Sequence, residues 1–233
     1  METNFKHTLL TALLALTFGF LGAAVWSYAG LADNRTRTYL LDNPVILEDM
    51  SIALQQERLL ERLADAGEGL YQPFEGAVIG NPEGSKVLVE FSDYNCGFCR
   101  TSLADVQRLV EQDPELKVVL REIPLRQGSE GSARMALAAA LQGKYRAFHE
   151  AMFLVGDTSP MGVELAARQA GLDLERARAD AASEQVSLEL ARNYTLLQQL
   201  GLNGTPAFIT TGAVLPGAYG YDALKAALDE AEG

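Results

Sequence analysis

The chain has 233 residues, 48% of them hydrophobic, enough for one sizeable domain with extensions, and carries a formal net charge of −12. That acidity excludes nucleic acid and anionic membrane surfaces as main partners, because both would repel it. Two cysteines and two histidines exclude a disulfide scaffold and fall short of the usual four-ligand zinc set at any familiar spacing.

Between His7 and Ala32 there is no Asp, Glu, Lys or Arg, and Lys6 stands in front. This pattern predicts an export segment over residues 1–32, either a signal peptide or an uncleaved anchor. Ser27-Tyr28-Ala29 and Gly30-Leu31-Ala32 both place small residues at cleavage-like spacing, whereas Trp26 and Tyr28 suit a membrane interface. Either reading puts the rest of the chain outside the cytoplasm, in a periplasmic setting where disulfide exchange is useful.

Residues 33–72 read as a helical extension. Asn43-Pro44 is an N-cap followed by proline at the first helical position, and a helix is predicted over 44–66. Leu47, Met50 and Leu54 begin a heptad stripe that then meets Glu57 and Glu61. Two readings stay open: a helix packed on its own domain, or a stalk that builds a homo-oligomer through residues 44–66.

Residues 73–233 read as the main domain. Glycines and prolines from Gly67 to Gly84 punctuate a linker, with a short edge strand near Val78. Val87 to Phe91 is an apolar, β-branched strand, and Leu116 to Ile123 a second. The helix between them carries Leu103, Val106, Leu109 and Val110 on one face, so a parallel crossover is expected. Residues 128–201 form a helical insertion, followed by a hairpin around Gly212 and a closing helix from Tyr221.

The chemistry concentrates at the first strand-to-helix junction, Glu90-Phe91-Ser92-Asp93-Tyr94-Asn95-Cys96-Gly97-Phe98-Cys99. A helix start presents unpaired N–H groups and a positive dipole end, and both favour a thiolate at Cys96. The thiolate is the nucleophile of disulfide exchange, and Cys-x-x-Cys spacing brings Cys99 to it one turn later. A purely structural disulfide across so short a loop would constrain the unfolded chain little. Soft thiolates also suit Cu(I), so a non-catalytic peptide- or copper-binding module is the rival reading. Glu90 stands in an otherwise apolar strand, either as an exposed strand-end carboxylate or as a buried acid that moves protons at Cys99. His149 has no evident partner in sequence and reads as a helical surface or packing residue.

Three stretches resemble the DsbA family: Glu90 to Cys99; Gln142-Gly143-Lys144-Tyr145 with Phe148-His149; and Leu200-Gly201-Leu202-Asn203-Gly204-Thr205-Pro206-Ala207-Phe208. The resemblance runs over roughly residues 70–231, and Tyr39 to Pro44 with the following helix is similar to the extension of ScsC-type members. It implies an α/β thioredoxin-like fold with a helical insertion and a protein thiol–disulfide oxidoreductase acting on cysteines of exported proteins. In that reading Cys96 attacks, Cys99 resolves and Glu90 is the buried acid. Pro206 is a cis-proline facing the sulfurs, and Thr205 and Phe98 help to receive the substrate. A membrane redox partner is implied, and no cofactor or metal. Gly97-Phe98 lacks the histidine of strong oxidases, and Thr205 replaces their valine, which leaves oxidase and isomerase both open.

Overall fold

The computed structural model describes residues 2–28 and 31–231. Ala29 and Gly30, which the cleavage readings need, lie outside them. The chain divides into two compact units, residues 1–57 and 58–233. Residues 58–72 cluster with the residues that follow them.

The first unit holds α1 (Glu2–Tyr28), α2 (Leu31–Asp42) and most of α3 (Val45–Ala66). The stretch His7–Tyr28 is long and apolar enough to cross a membrane by length and composition. Leu13, Leu16 and Phe20 are exposed, as a segment without a core-facing stripe requires. Leu47, Met50 and Leu54 on α3 are exposed as well.

In the second unit, five strands form one mixed sheet among the described residues. They are β1 (Val78–Gly80), β2 (Lys86–Ser92), β3 (Leu116–Glu122), β4 (Ala207–Ile209) and β5 (Val214–Pro216), in the order β1-β3-β2-β4-β5. Helix α4 (Gly97–Gln112) crosses from β2 to β3, which pair in parallel with Glu90 opposite Leu120 and Ser92 opposite Glu122. The insertion is α5 (Glu130–Ala140), α6 (Tyr145–Val155), α7 (Pro160–Gln169), α8 (Leu174–Ala181) and α9 (Glu184–Gln199), and α10 (Tyr221–Glu230) closes the chain. Local signals set these ends: Ser159 caps α7 by accepting from Gly162 N–H, with Pro160 at the first helical position.

Alternation along the central strands sends side chains to two different cores. Leu88, Val118 and Leu120 join Cys96, Cys99, Val106, Phe148 and Phe208 on one face. Val89, Phe91, Val119 and Ile123 join Leu63, Leu70, Leu196 and Leu197 on the other. The end of α3 and the turn at Glu68–Leu70 thus belong to the second unit's own core. Central strands buried on both faces read as apolar runs, so each charged residue inside them stands out. Glu90, Arg121 and Glu122 are the buried ones, at 2%, 0% and 0% exposure.

Candidate active site

Helix α4 begins at Gly97 because Cys96 is its N-cap, with extended dihedrals of φ −103° and ψ 117°. The preceding turn is fixed by backbone and carboxylate. Cys96 N–H donates to the Asp93 carbonyl at 3.0 Å. Asp93 Oδ1 accepts from Asn95 N–H at 2.9 Å and Oδ2 from Arg126 N–H at 3.0 Å. The Cys96 sulfur thus sits at the N-terminal end of α4, facing its first backbone N–H groups.

Cys96 and Cys99 are both free thiols and both residues are covered. Cys96 is 1% accessible against 0% for Cys99, so neither residue is openly exposed. What separates the sulfurs is their surroundings. Burial alone pushes the Cys96 thiol up, yet the Cys99 and Phe98 N–H groups, the Thr205 hydroxyl and the Cys99 thiol outweigh it and leave it lowered. Burial pushes the Cys99 thiol far above the ordinary range, and Glu90 and Cys96 add to the rise, against smaller help from Asp93 and Thr205. One sulfur is therefore ready to be a thiolate and the other holds its proton.

Glu90 lies on the cysteine side of β2, 2% exposed, and burial raises its carboxyl to about 8. Ser92 Oγ pulls it part-way back without reaching full hydrogen-bonding geometry. The exposed-carboxylate reading of Glu90 is excluded. The Thr205–Pro206 bond is cis and Pro206 is buried. Cys96 Sγ–H donates to the Thr205 carbonyl at 3.2 Å, so the loop of Thr205 and the start of α4 meet at the sulfur. Phe98, by contrast, stands 66% exposed beside the motif.

His149 is not a surface residue. It is 1% exposed, and its Nδ1 lies 2.9 Å from Tyr94 Oη, a partner that the sequence reading did not find. Burial lowers its imidazole to about 3, so it is neutral near pH 7. Tyr94 Oη also donates to Glu122 Oε1 at 2.9 Å, as does Tyr145 Oη at 2.5 Å. This cluster is not legible along the chain because its hydrogen-bonded pairs are 23 to 55 residues apart. The one available signal was Arg121-Glu122, a charged pair inside a β-branched central strand.

The DSBA-like thioredoxin domain family matches residues 87–229 of this chain, the segment that runs from β2 to α10. The chain belongs to that family. With it comes the thioredoxin-like fold and membership of the thiol–disulfide oxidoreductases. A thioredoxin-like oxidoreductase from Silicibacter pomeroyi DSS-3 is 42% identical, with a TM-score of 0.68 over 71% of this chain and 97% of that one. Proteus mirabilis ScsC in a transitional conformation is 26% identical, with a TM-score of 0.66 over 84% of this chain and 91% of that one. The thiol:disulfide interchange protein DsbC of Salmonella typhimurium is 28% identical over 153 residues, 64% of this chain and 53% of the relative. Na(+)/H(+) antiporter NhaA 3 of Salinispora tropica is 27% identical over 77% of this chain but only 29% of the antiporter. The chain thus spans between about a quarter and about half of the curated relatives it matches.

Proposed function

We propose that this chain is an exported thiol–disulfide oxidoreductase that oxidises or isomerises disulfides in other exported proteins. The observation that carries the reading is the unequal pair of sulfurs: Cys96 lowered at a helix start, Cys99 raised above a buried acid. In the oxidising direction a substrate thiolate attacks Cys96 Sγ of the Cys96–Cys99 disulfide. A substrate–Cys96 bond forms, the Cys96–Cys99 bond breaks, and the electron pair leaves on Cys99 Sγ. A neutral Glu90 supplies the proton that this raised thiol needs. A second substrate thiolate then attacks the substrate sulfur, forming the substrate disulfide and releasing Cys96 as thiolate. Isomerisation uses the same attack, starting from reduced Cys96.

The rest of the site suits an extended peptide. Thr205 offers backbone beside Pro206 for strand-like pairing, and Phe98 offers exposed apolar surface. The export reading rests on the apolar helix His7–Tyr28. A membrane redox partner would then restore the disulfide or the dithiol, and the exposed stripe of Leu47, Met50 and Leu54 would serve self-association.

The test is refolding of reduced and of scrambled ribonuclease by the purified chain. Turnover in either assay, lost in Cys96→Ala and converted to a trapped mixed disulfide in Cys99→Ser, supports the reading. A reduction potential near about −120 mV would make the chain an oxidase, and one near about −270 mV a reductant of the thioredoxin kind. Cu(I) or peptide binding without turnover in either assay would favour the binding module.

A further inference from the structure

Glu122 takes no part in the exchange just described, yet like Glu90 it is a strand carboxyl buried on the cysteine side of the sheet. It is 0% exposed and follows Leu120 on β3, opposite Ser92, while Glu90 is opposite Leu120. The two acids therefore occupy neighbouring positions on adjacent strands, on one face. Glu122 Oε1 accepts both phenolic hydrogens, from Tyr94 and Tyr145, and its Oε2 is fully buried with no hydrogen-bond partner. An ionised carboxylate would leave that oxygen's charge with no donor to answer it, which favours the neutral acid.

The hydrogen bonds also tie Glu122 to the turn before α4. Tyr94 gives its hydrogen to Glu122, which leaves His149 Nδ1–H to donate to Tyr94 Oη. Tyr94 sits in the turn in which Cys96 N–H bonds the Asp93 carbonyl. Glu122 thus grips the turn that carries the attacking sulfur, from underneath.

We propose that Glu122 is a second buried acid of the redox site, a positioning residue that holds Tyr94 beneath the Cys96 turn and shares its proton balance with Glu90. The proposal rests on the reading of Glu90 as proton partner of Cys99. The titratable groups that face Glu122 are Glu90 on β2, Asp93 and Tyr94 in the following turn, and Tyr145 on α6, with His149 behind Tyr94. From α9 the neutral Asn193 side chain binds its backbone carbonyl at 3.3 Å. Burial raises the Glu122 carboxyl to about 8, the two tyrosine hydrogen bonds pull it down, and Asp93 and Glu90 push it up again. Whichever acid ionises first makes the second ionisation harder, so the pair titrates as a unit.

The experiment loads Cys96 with thionitrobenzoate as a mixed disulfide and follows release of the coloured thiolate by Cys99 from acid to alkaline pH. Wild type should show a broad inflection. Glu122→Gln, which keeps the acceptor oxygen and removes the titration, should narrow it and move it down by about one pH unit. Tyr94→Phe, which weakens stabilisation of the Glu122 carboxylate, should move it the same way by less. Glu122→Leu should slow Cys96 alkylation about tenfold, with the rate restored in Glu122→Gln. A Glu122→Gln profile that superimposes on wild type, while Glu90→Gln changes it, overturns the proposal and leaves the Glu90 reading standing. If Glu90→Gln also leaves the profile unmoved, the Glu90 reading fails, and the shared-proton proposal with it. If Glu122→Gln does not fold, Tyr94→Phe decides, and an unmoved inflection there overturns the proposal.

Discussion

Arg121 and Glu122 are neighbours on β3, and both are 0% exposed, yet they solve burial in opposite ways. Arg121 points to the side of α9. Its guanidinium donates to Glu189 Oε1 at 2.7 Å, to Asn193 Oδ1 at 3.2 Å, and to the carbonyls of Gly69, Leu70 and Gln72 at 2.7, 3.0 and 2.5 Å. A counter-charge and several acceptors let it stay a cation, and the result is a clamp that holds residues 69–72 on the sheet. Glu122 points to the cysteines, is bonded only by neutral phenols through its side chain, and is raised to about 8. One face keeps its charge for structure; the other keeps its acid neutral, and a neutral acid is what proton exchange near pH 7 needs.

The largest test of this contrast is removal of the clamp. Arg121→Met leaves Glu189 with only the longer Arg192 contact at 3.8 Å and frees the 69–72 carbonyls. It should cost about 3–5 kcal/mol in urea unfolding of the purified chain. A cost below about 1 kcal/mol would mean that water or a shifted Arg192 replaces the clamp, and the two faces would no longer differ in kind.

The pH dependence of stability comes next. Glu90 and Glu122 both stand at about 8 in the folded chain against an ordinary 4.5. Between those values the folded state holds protons that the unfolded state releases, so stability is fully present below about 4.5 and is lost as pH rises to about 8. His149, lowered to about 3 from 6.5, opposes this below 6.5 by favouring the neutral folded form as pH rises. The two acids therefore act without that opposition only between about 6.5 and 8, with a combined slope of up to about 2.7 kcal/mol per pH unit. Chemical unfolding across that window should show about half the slope in Glu122→Gln and in Glu90→Gln. The cysteines and His149 are common to all three proteins, so the differences isolate single carboxyls. Equal slopes in wild type and both variants would show that these acids are ionised when folded.

Smaller effects sharpen the picture. Glu122→Leu strands the hydroxyls of Tyr94 and Tyr145 in an apolar core and should cost about 2 kcal/mol, whereas Glu122→Gln keeps an acceptor and should cost about 1 kcal/mol or less. Tyr145→Phe removes one donor and should cost about 1 kcal/mol by thermal unfolding. A larger loss for Gln than for Leu would mean that the cluster tolerates no second amide hydrogen, and that Glu122 works as an ion.

Much of the fold was legible because the signals were local. The β-branched runs at Val87–Phe91 and Val118–Leu120, Ser159-Pro160 before α7, and the turn around Gly212 each state their own structure within a few residues. The structure adds α2 and places the hairpin strands at Ala207–Ile209 and Val214–Pro216, changes confined to element ends and to a polar stretch without clear periodicity. His149 proves to be the packing residue of the two alternatives, and its partner is not legible for a related reason: Tyr94 is 55 residues away and enters from another element.

The sequence by itself determined the redox motif, its place at a helix start, the apolar first helix and the candidate roles of Glu90, Thr205 and Pro206. Those follow from spacing, periodicity and resemblance, which act along the chain. Only the tertiary structure decided which side of the sheet each buried charge faces and what meets it there. Strand parity sends Arg121 to Glu189 and Glu122 to Tyr94, Tyr145 and His149. The charge of a buried group depends on those partners and on desolvation, and neither is written in the residue's own neighbours along the chain.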